Sequence, residues 1–302
     1  MIFETCGNCL EYSNLSGKTA VYGIIGDPID HVMSPLIQNA AFRSTGVDAV
    51  YLPFQVRTPS LRTAIAGLRS LGIKGFNVTA PHKLQVMQHL DHLDQVTVEI
   101  GAVNTVVNKN GSLCGYNTDG LGALKALQEA GASLEGKSCL LFGAGGASRA
   151  IAHALASQVD SIIIVNRTVA RAKQLERRLR QNFKIETKSA PLTSGKLRQF
   201  VEQSDLIVNA SSMGMNGKAN PPVKSGWFRK KQYVFDCVYK PVETKLLRLA
   251  ADGEARTVNG LDMVVNQGAC SFELWIGRAA PVSEMRRSIP PSTLGRTLEK
   301  NR

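Results

Sequence analysis

The sequence is poor in aromatic residues: Phe, Trp and Tyr make up only 6% of its 302 positions. It is also short of carboxylates, with 24 Asp and Glu against 36 Lys and Arg, a formal net charge of +12. An excess of that size can mark a nucleic-acid binder, but no stacking aromatics interleave the charges. The charge therefore reads as attraction for small anions plus a solvated basic helix face, concentrated in Arg171–Lys188 and the tail from Arg286. No stretch approaches 18 uninterrupted apolar residues, so no membrane-spanning helix is expected. The N-terminus lacks the basic-then-apolar order of a secretion signal. A cytoplasmic, reducing setting is expected, with the six cysteines as free thiols. Cys6 and Cys9 form one C-x-x-C without a second pair or nearby histidines, too little to predict a metal. Internal repeats and low-complexity tracts are absent from the sequence.

What is present is enough chain for two domains, organised around Ser138–Thr168. An apolar run, Cys139 to Phe142, enters Gly143-Ala144-Gly145-Gly146; a small-residue helical pattern follows, Ala147 to Ser157, then a β-branched run, Ile162 to Val165. That order predicts a βαβ unit whose turn holds a dinucleotide pyrophosphate. Glycines let the backbone turn sharply and approach two phosphates, while the N–H groups of the helix start face the anion. The fingerprint departs at its third small position, which is Ser148. An NAD site expects an acidic residue about 20 positions on; here the strand ends in Asn166-Arg167-Thr168, with Arg171 one helical turn later. Guanidinium groups suit a ribose 2′-phosphate, so the cofactor predicted is NADP; the alternative is that both arginines are solvated charges on a basic helix.

Before this unit the sequence predicts a smaller α/β domain. A strand from Ala20 leads into Gly26-Asp27-Pro28, and Ser34-Pro35 reads as N-cap and first position of a helix. Val50–Val56 and Gly75–Val78 read as strands, Pro59–Leu71 as a helix, and Pro81 as a further helix start with Lys83 on its first turn. Asn110-Gly111 marks a hairpin, and Leu121–Ala130 a helix that Asp119 would cap. Beyond the βαβ unit, strands end at Asn209 and Val238. The loops that follow, with Ser211, Met213 and Tyr239, belong near the cofactor because open parallel sheets bind at the carboxyl ends of their strands. Gly260 is a further candidate cofactor contact. Val264–Trp275 reads as a helix carrying Gln267 that returns to the first domain, and the chain from Pro281 as a frayed tail. The predicted organisation is α/β throughout: an N-terminal extension (1–19), a substrate-binding domain (20–118 plus 260–302) and a Rossmann-type NADP-binding domain (119–259), with a cleft between the two domains.

Over roughly residues 20–280 the chain resembles the shikimate dehydrogenase family. The matching blocks are Gly26-Asp27-Pro28 through His31 and Ser34-Pro35, Asn77 to Lys83, Gly101 to Thr105 and Asn117-Thr118-Asp119-Gly120. They continue with Gly143 to Ala147, Asn166-Arg167-Thr168 and Gln267. The resemblance implies reversible NADPH-dependent reduction of 3-dehydroshikimate to shikimate in the pathway to chorismate and the aromatic amino acids. It implies Lys83 and Asp119 as the catalytic pair. Hydride transfer to a ketone develops negative charge on oxygen, which needs a proton donor or cation beside it; Lys83 would supply it and Asp119 would hold the ammonium in place. Read alone, Lys83 is a solvated first-turn lysine and Asp119 an N-cap. The same resemblance implies Ser34, Thr79, Asn104, Tyr239 and Gln267, with Asp119, as contacts to a small anionic substrate; it leaves a monomer and a homodimer both open.

One position departs from the family pattern. Where two serines usually bind the substrate carboxylate, this chain has Val32 and Ser34. Losing one hydrogen bond to a charged group costs about 1.5–3 kcal/mol, so three outcomes are open: another donor compensates, shikimate binds weakly, or the substrate is a relative such as quinate or an aminated shikimate. A non-catalytic NADP-binding sensor is the reading from another class, and retention of both Lys83 and Asp119 argues against it.

Overall fold

The computed structural model describes residues 15–30 and 32–291. Cys6, Cys9, His31 and the last eleven residues lie outside the described residues, as does most of the expected N-terminal extension. Two six-stranded sheets carry the chain. The first is built from β1 (Ala20–Gly26), β2 (Ala49–Gln55), β3 (Gly75–Val78), β4 (His92–Leu93), β5 (Thr105–Lys109) and β6 (Ser112–Tyr116), in the order β2-β1-β3-β5-β6-β4. β1 runs parallel to both its neighbours and ends in five consecutive buried residues, as a strand covered on both faces should. The β5–β6 hairpin turns at Asn110 and Gly111, both at positive φ (53° and 93°), which suits a tight two-residue turn.

The second sheet comprises β7 (Ser138–Phe142), β8 (Ser161–Asn166), β9 (Glu186–Pro191), β10 (Leu206–Asn209), β11 (Tyr233–Asp236) and β12 (Arg256–Val258). All its pairings are parallel, in the order β12-β11-β10-β7-β8-β9. Counting from β7, that is the doubly wound order in which a ligand crevice opens at the switch point, between the carboxyl ends of β7 and β10.

Helices cover both sheets. α1 (Ser34–Thr45), α2 (Leu61–Ser70) and α3 (Gln95–Ile100) belong to the first half, α4 (Asp119–Glu129) to the crossing. α5 (Gly146–Ala156), α6 (Val169–Asn182), α7 (Leu197–Gln203) and α8 (Lys245–Asp252) flank the second sheet; α9 (Gly260–Ile276) and α10 (Val282–Arg287) return. One face of the second sheet packs on α4, α5 and α6, the other on α7 and α8. In the first sheet, α2 covers one face and α1 with α9 the other. Each large apolar side chain so buried contributes about 1.5–3 kcal/mol. α9 also ties the halves together. It accepts from Gln38 at the Gly268 carbonyl (2.8 Å), donates from Trp275 Nε1 to the Val106 carbonyl (2.9 Å) and donates from Asn266 to Glu129 of α4 (3.2 Å).

Four expectations from the sequence are corrected. Ser34 is the first residue of α1 and makes no capping bond, because its side chain turns inward and is buried; Met33 holds the cap position. Asp119 likewise starts α4 after Thr118 at the cap, its carboxylate being drawn to Lys83 and Asn104. The segment after Pro81 is a run of turns followed by a 3-10 helix at Gln85–His89. Tertiary bonds fix it there: the Lys83 carbonyl accepts from Val103 N, and buried His82 Nε2 meets the Val56 carbonyl. The tail from Pro281 is no frayed end as far as Pro291: α10 packs on α1 and α9 with Met285 fully buried, and Arg286 pairs with Glu129 and Asp262. The expectation of free thiols holds for the four cysteines among the described residues.

Candidate active site

The site begins with a side-chain pair. Lys83 Nζ lies 2.5 Å from Asp119 Oδ2, with the two side chains 15% and 5% exposed. Removing one partner from a pair this buried leaves an uncompensated charge, which costs about 3–5 kcal/mol. Asp119 is held from a second side, its Oδ1 accepting from Asn104 Nδ2 at 2.8 Å. The same amide donates to Thr118 Oγ1 (2.8 Å) and to Gln267 Oε1 (3.3 Å), while Asn104 Oδ1 accepts from the Thr118 backbone and the Thr105 hydroxyl.

From there a buried polar chain continues into the first sheet. Thr105 Oγ1 meets Ser271 Oγ (2.8 Å), and Asn77 Nδ2 donates to both. Tyr51 donates its hydroxyl to Asn77 Oδ1 at 2.7 Å. Burial pushes the Tyr51 hydroxyl well above its ordinary range, and a hydrogen bond with Ser34 pulls against that shift. Ser34 and Lys83 thus stand at the two ends of one hydrogen-bonded network whose buried groups satisfy each other, as buried polar groups must.

Tyr239 approaches the same end. Its ring packs beside Val32 against the core under α1, and its hydroxyl is pushed up to about 12 by burial, a bond from the Met33 backbone opposing the shift. The hydroxyl is therefore a proton donor throughout the neutral range. Thr79 is partly exposed at the end of β3; its backbone N–H bonds to the Ile25 carbonyl. Cys237, half-buried just past β11, has its thiol pushed well up by desolvation, Asp236 and Asp119, with Lys83 opposing.

The glycine turn faces this pair. A Cβ placed on Gly146 would lie 2.8 Å from Lys83 Cβ, so the bare backbone is what lets the loop close over the lysine. Gly143 adopts φ +116°, and a Cβ there would meet Ser148 Oγ at 2.5 Å and the Ala210 backbone at 3.1 Å. Ser148 accounts for the departure from the fingerprint. Its buried hydroxyl accepts from Gly145 N (3.3 Å) and donates to the Ala210 carbonyl (2.9 Å), pinning the loop to the end of β10. A Cβ on Gly145 would meet nothing within 4 Å, so that edge of the turn, flanked by Ala144 and Ala147, faces open space. Asn166 donates to the Thr168 carbonyl and shapes the turn after β8. Arg167 and Arg171 are exposed there without an ion-pair partner among the described residues. A glycine crevice ending in unpaired guanidinium groups fits the pyrophosphate and 2′-phosphate of NADP.

Ser211 and Met213 follow β10, where Ser211 Oγ donates to Asn209 Oδ1 and accepts from Met213 N. Gly260 opens α9 with its backbone against the Cys237 carbonyl. Lys83, Asp119, Asn104 and Gln267 thus form one cluster, with Ser34 joined through Tyr51 and Asn77. Arg167 and Arg171, exposed beyond the end of β8, make no hydrogen bond or ion pair with that cluster among the described residues and belong to the other end of the crevice. Sequence reasoning missed Tyr51, Thr105, Ser271 and Asp236. Asp236, at the end of β11, is pushed up to about 6 by burial; bonds from Thr244, Val238 N and Asn209 pull against this. Only the last residues of β10 and β11, Asn209 and Asp236, carried a signal: polar side chains at the carboxyl ends of central strands.

A doubly wound sheet with a glycine crevice over a buried Lys–Asp pair defines a dinucleotide-linked oxidoreductase. Family models narrow the class. The shikimate dehydrogenase substrate-binding domain matches residues 24–106, shikimate/quinate 5-dehydrogenase matches 125–236, and the shikimate 5′-dehydrogenase C-terminal domain matches 260–289. The shikimate dehydrogenase (NADP+) of Moorella thermoacetica is 44% identical over 277 residues, covering 91% of this chain and 94% of its own. A shikimate dehydrogenase solved in complex with NADP+ superposes with a TM-score of 0.84 at 39% identity, covering 91% and 96% of the two chains. The Listeria monocytogenes shikimate 5-dehydrogenase, solved with shikimate and NAD, gives 0.82 at 36% identity, covering 90% and 97%. The chain belongs to the shikimate dehydrogenase family. No helix among the described residues is long and apolar enough to cross a membrane.

Proposed function

We propose that this chain catalyses the reversible NADPH-dependent reduction of 3-dehydroshikimate to shikimate, a step toward chorismate and the aromatic amino acids. The observation that carries this reading is the buried Lys83–Asp119 pair lying directly under the dinucleotide loop at Gly146. Residues 20–118 with 260–302 act as the substrate-binding domain and 119–259 as the NADP-binding domain, working in the cytoplasm. Gly143, Ala144, Gly145, Gly146 and Ala147 cradle the pyrophosphate with backbone N–H groups. Asn166, Arg167, Thr168 and Arg171 take the adenosine end, the guanidinium groups pairing with the 2′-phosphate. Ser211, Met213 and Gly260 line the crevice toward the nicotinamide. When bound, NADP supplies or accepts the hydride.

In the reducing direction, Lys83 Nζ gives its proton to the oxygen where charge develops. In the oxidising direction the same side chain takes the hydroxyl proton. Asp119 fixes the ammonium from one side while Asn104 fixes Asp119 from the other, so the proton donor is oriented before substrate arrives. Asp119, Asn104 and Gln267 offer donors and acceptors to the ring hydroxyls, and Ser34, Thr79 and Tyr239 offer hydroxyl groups to the rest of the substrate.

Val32 favours a second reading, with quinate or an aminated shikimate as substrate, because a half-buried apolar side chain stands where a hydroxyl would meet the carboxylate. Steady-state oxidation of shikimate and quinate, each with NADP+ and NAD+, separates the two. The first reading predicts that shikimate with NADP+ gives the highest kcat/KM; a preference for quinate would replace it with the second.

A further inference from the structure

Two arginines with no part in the chemistry above meet at the carboxyl end of α3. Arg149 follows Ser148 on α5 and is only 6% exposed. Its Nη2 donates to Gln174 Oε1 at 2.9 Å and its Nη1 to the Gly101 carbonyl at 3.4 Å; Nε has no partner among the described residues. Arg178, on α6, donates from Nη1 to the carbonyls of Val98 (2.8 Å) and Glu99 (3.0 Å). Both guanidinium groups flank the same residue, since a Cβ on Gly101 would lie 3.0 Å from Arg149 Nη1 and 2.9 Å from Arg178 Cζ.

Like charges gathered around a buried group are unfavourable, and burial, Arg178 and Arg171 all pull the Arg149 pKa down. Neither Arg149 nor Arg178 has a carboxylate partner among the described residues. What compensates them is the end of α3, whose last carbonyls lack helical partners and carry the negative end of the dipole. The contact is reinforced by His153 Nε2 at 3.0 Å from Glu99 Oε2 and by Ile100 and Ala102 packing on Ala150.

From this contact the chain runs straight into the substrate side. The Ala102 carbonyl accepts from Asn117 Nδ2 (2.8 Å), Val103 N donates to the Lys83 carbonyl (2.8 Å), and Asn104 holds Asp119. On the other side, Arg149 adjoins the serine that pins the glycine loop, and Arg178 shares α6 with Arg171. Each arginine therefore ties a helix next to a cofactor loop to the end of α3, and Asn104 lies in the short segment that runs from there into β5. We propose that Arg149 and Arg178 are positioning residues: through the carboxyl end of α3 they transmit cofactor binding to Lys83 and Asn104, so that NADP and substrate bind with positive coupling. This rests on the reading of the crevice as the NADP site. By linkage, the substrate must tighten NADP binding by the same factor.

The test is amide hydrogen exchange at Val103 and Asn104 in the full chain, with and without saturating NADP+ and without substrate. The expected result is that NADP+ slows both amides about tenfold in the wild type, within the usual range of such couplings. Arg178→Ala, at a half-buried position, should lose most of that slowing. Arg178→Lys should fall between, because it keeps the charge but not the planar fork. Wild-type amides indifferent to NADP+, or either variant responding as fully as the wild type, would overturn the proposal. A loss of melting temperature with the NADP+ response intact would mark the arginines as merely structural, and would overturn it too. Shikimate oxidation by the same wild-type sample decides the substrate reading separately: if it fails while the amides respond, the substrate reading falls and the coupling stands.

Discussion

At the glycine turn the contacts that matter are made by backbone, whereas under Lys83 they are made by side chains. Gly143, Gly145 and Gly146 leave bare main chain at the carboxyl end of β7, with Ser148 as the one buried side chain that fixes it. Under Lys83, by contrast, hydrogen bonds join residues as far apart as Asn77 and Ser271, and each buried polar group depends on its neighbours. A backbone site needs only small residues at fixed spacing, and tolerates change around it. A side-chain network is specific, and one unsatisfied member costs about 1–3 kcal/mol. The two regions should therefore respond differently to substitution.

The largest contrast is expected at the arginines. Arg167→Ala or Arg171→Ala should raise KM for NADP+ by about one to two decades, the value of a charge-assisted hydrogen bond. KM for NAD+ and for shikimate should barely move. An equal loss for both cofactors in steady-state assays would break the separation between the adenosine end and the reacting end.

A smaller effect, on the opposite side, is expected at Val32. Val32→Ser should lower KM for shikimate by about one decade, toward the lower value of a hydrogen bond to a carboxylate, and leave KM for NADP+ unchanged. An unaltered KM for shikimate would mean that the carboxylate finds its donors elsewhere, among Ser34 and Tyr239.

A third effect concerns stability and leaves both binding regions untouched. Asp236 is pushed up from the ordinary 3.8 to about 6, so the folded chain keeps a proton that the unfolded chain releases. Its contribution is fully present below about pH 4, is lost as pH rises toward about 6, and is constant above that. Asp236→Asn should flatten the part of the melting-temperature profile that falls between those values. A slope that persists in the variant would assign it to another group.

The same contrast explains what could be read from the chain. The glycine turn, its flanking strands, the Asn110-Gly111 hairpin and the basic end of β8 were legible because each is a local pattern. The folded places of Ser34 and Asp119 were not. Both residues carry strong capping propensity, and tertiary partners, Tyr51 for one and Lys83 for the other, drew their side chains inward instead. Tyr51 and Ser271 look like ordinary strand and helix residues until the sheet and α9 bring them to Asn77. Arg149 was hidden for the same reason, its partners lying at Gly101 and Gln174 on other elements. α10 was missed because two prolines and scattered charges outweigh six helical residues, whose place is fixed by tertiary contacts: Met285 fully buried, Val282 packed beside it and Arg286 paired with Glu129 and Asp262.

The most direct measurement compares wild type and Lys83→Ala in one experiment, titrating NADP+ and following shikimate oxidation in the same samples. Both proteins should bind NADP+ with closely similar Kd, while the variant oxidises shikimate at least about a hundredfold more slowly, the lower range for loss of a general acid–base group. A variant that binds NADP+ and keeps wild-type turnover would contradict the catalytic role of Lys83.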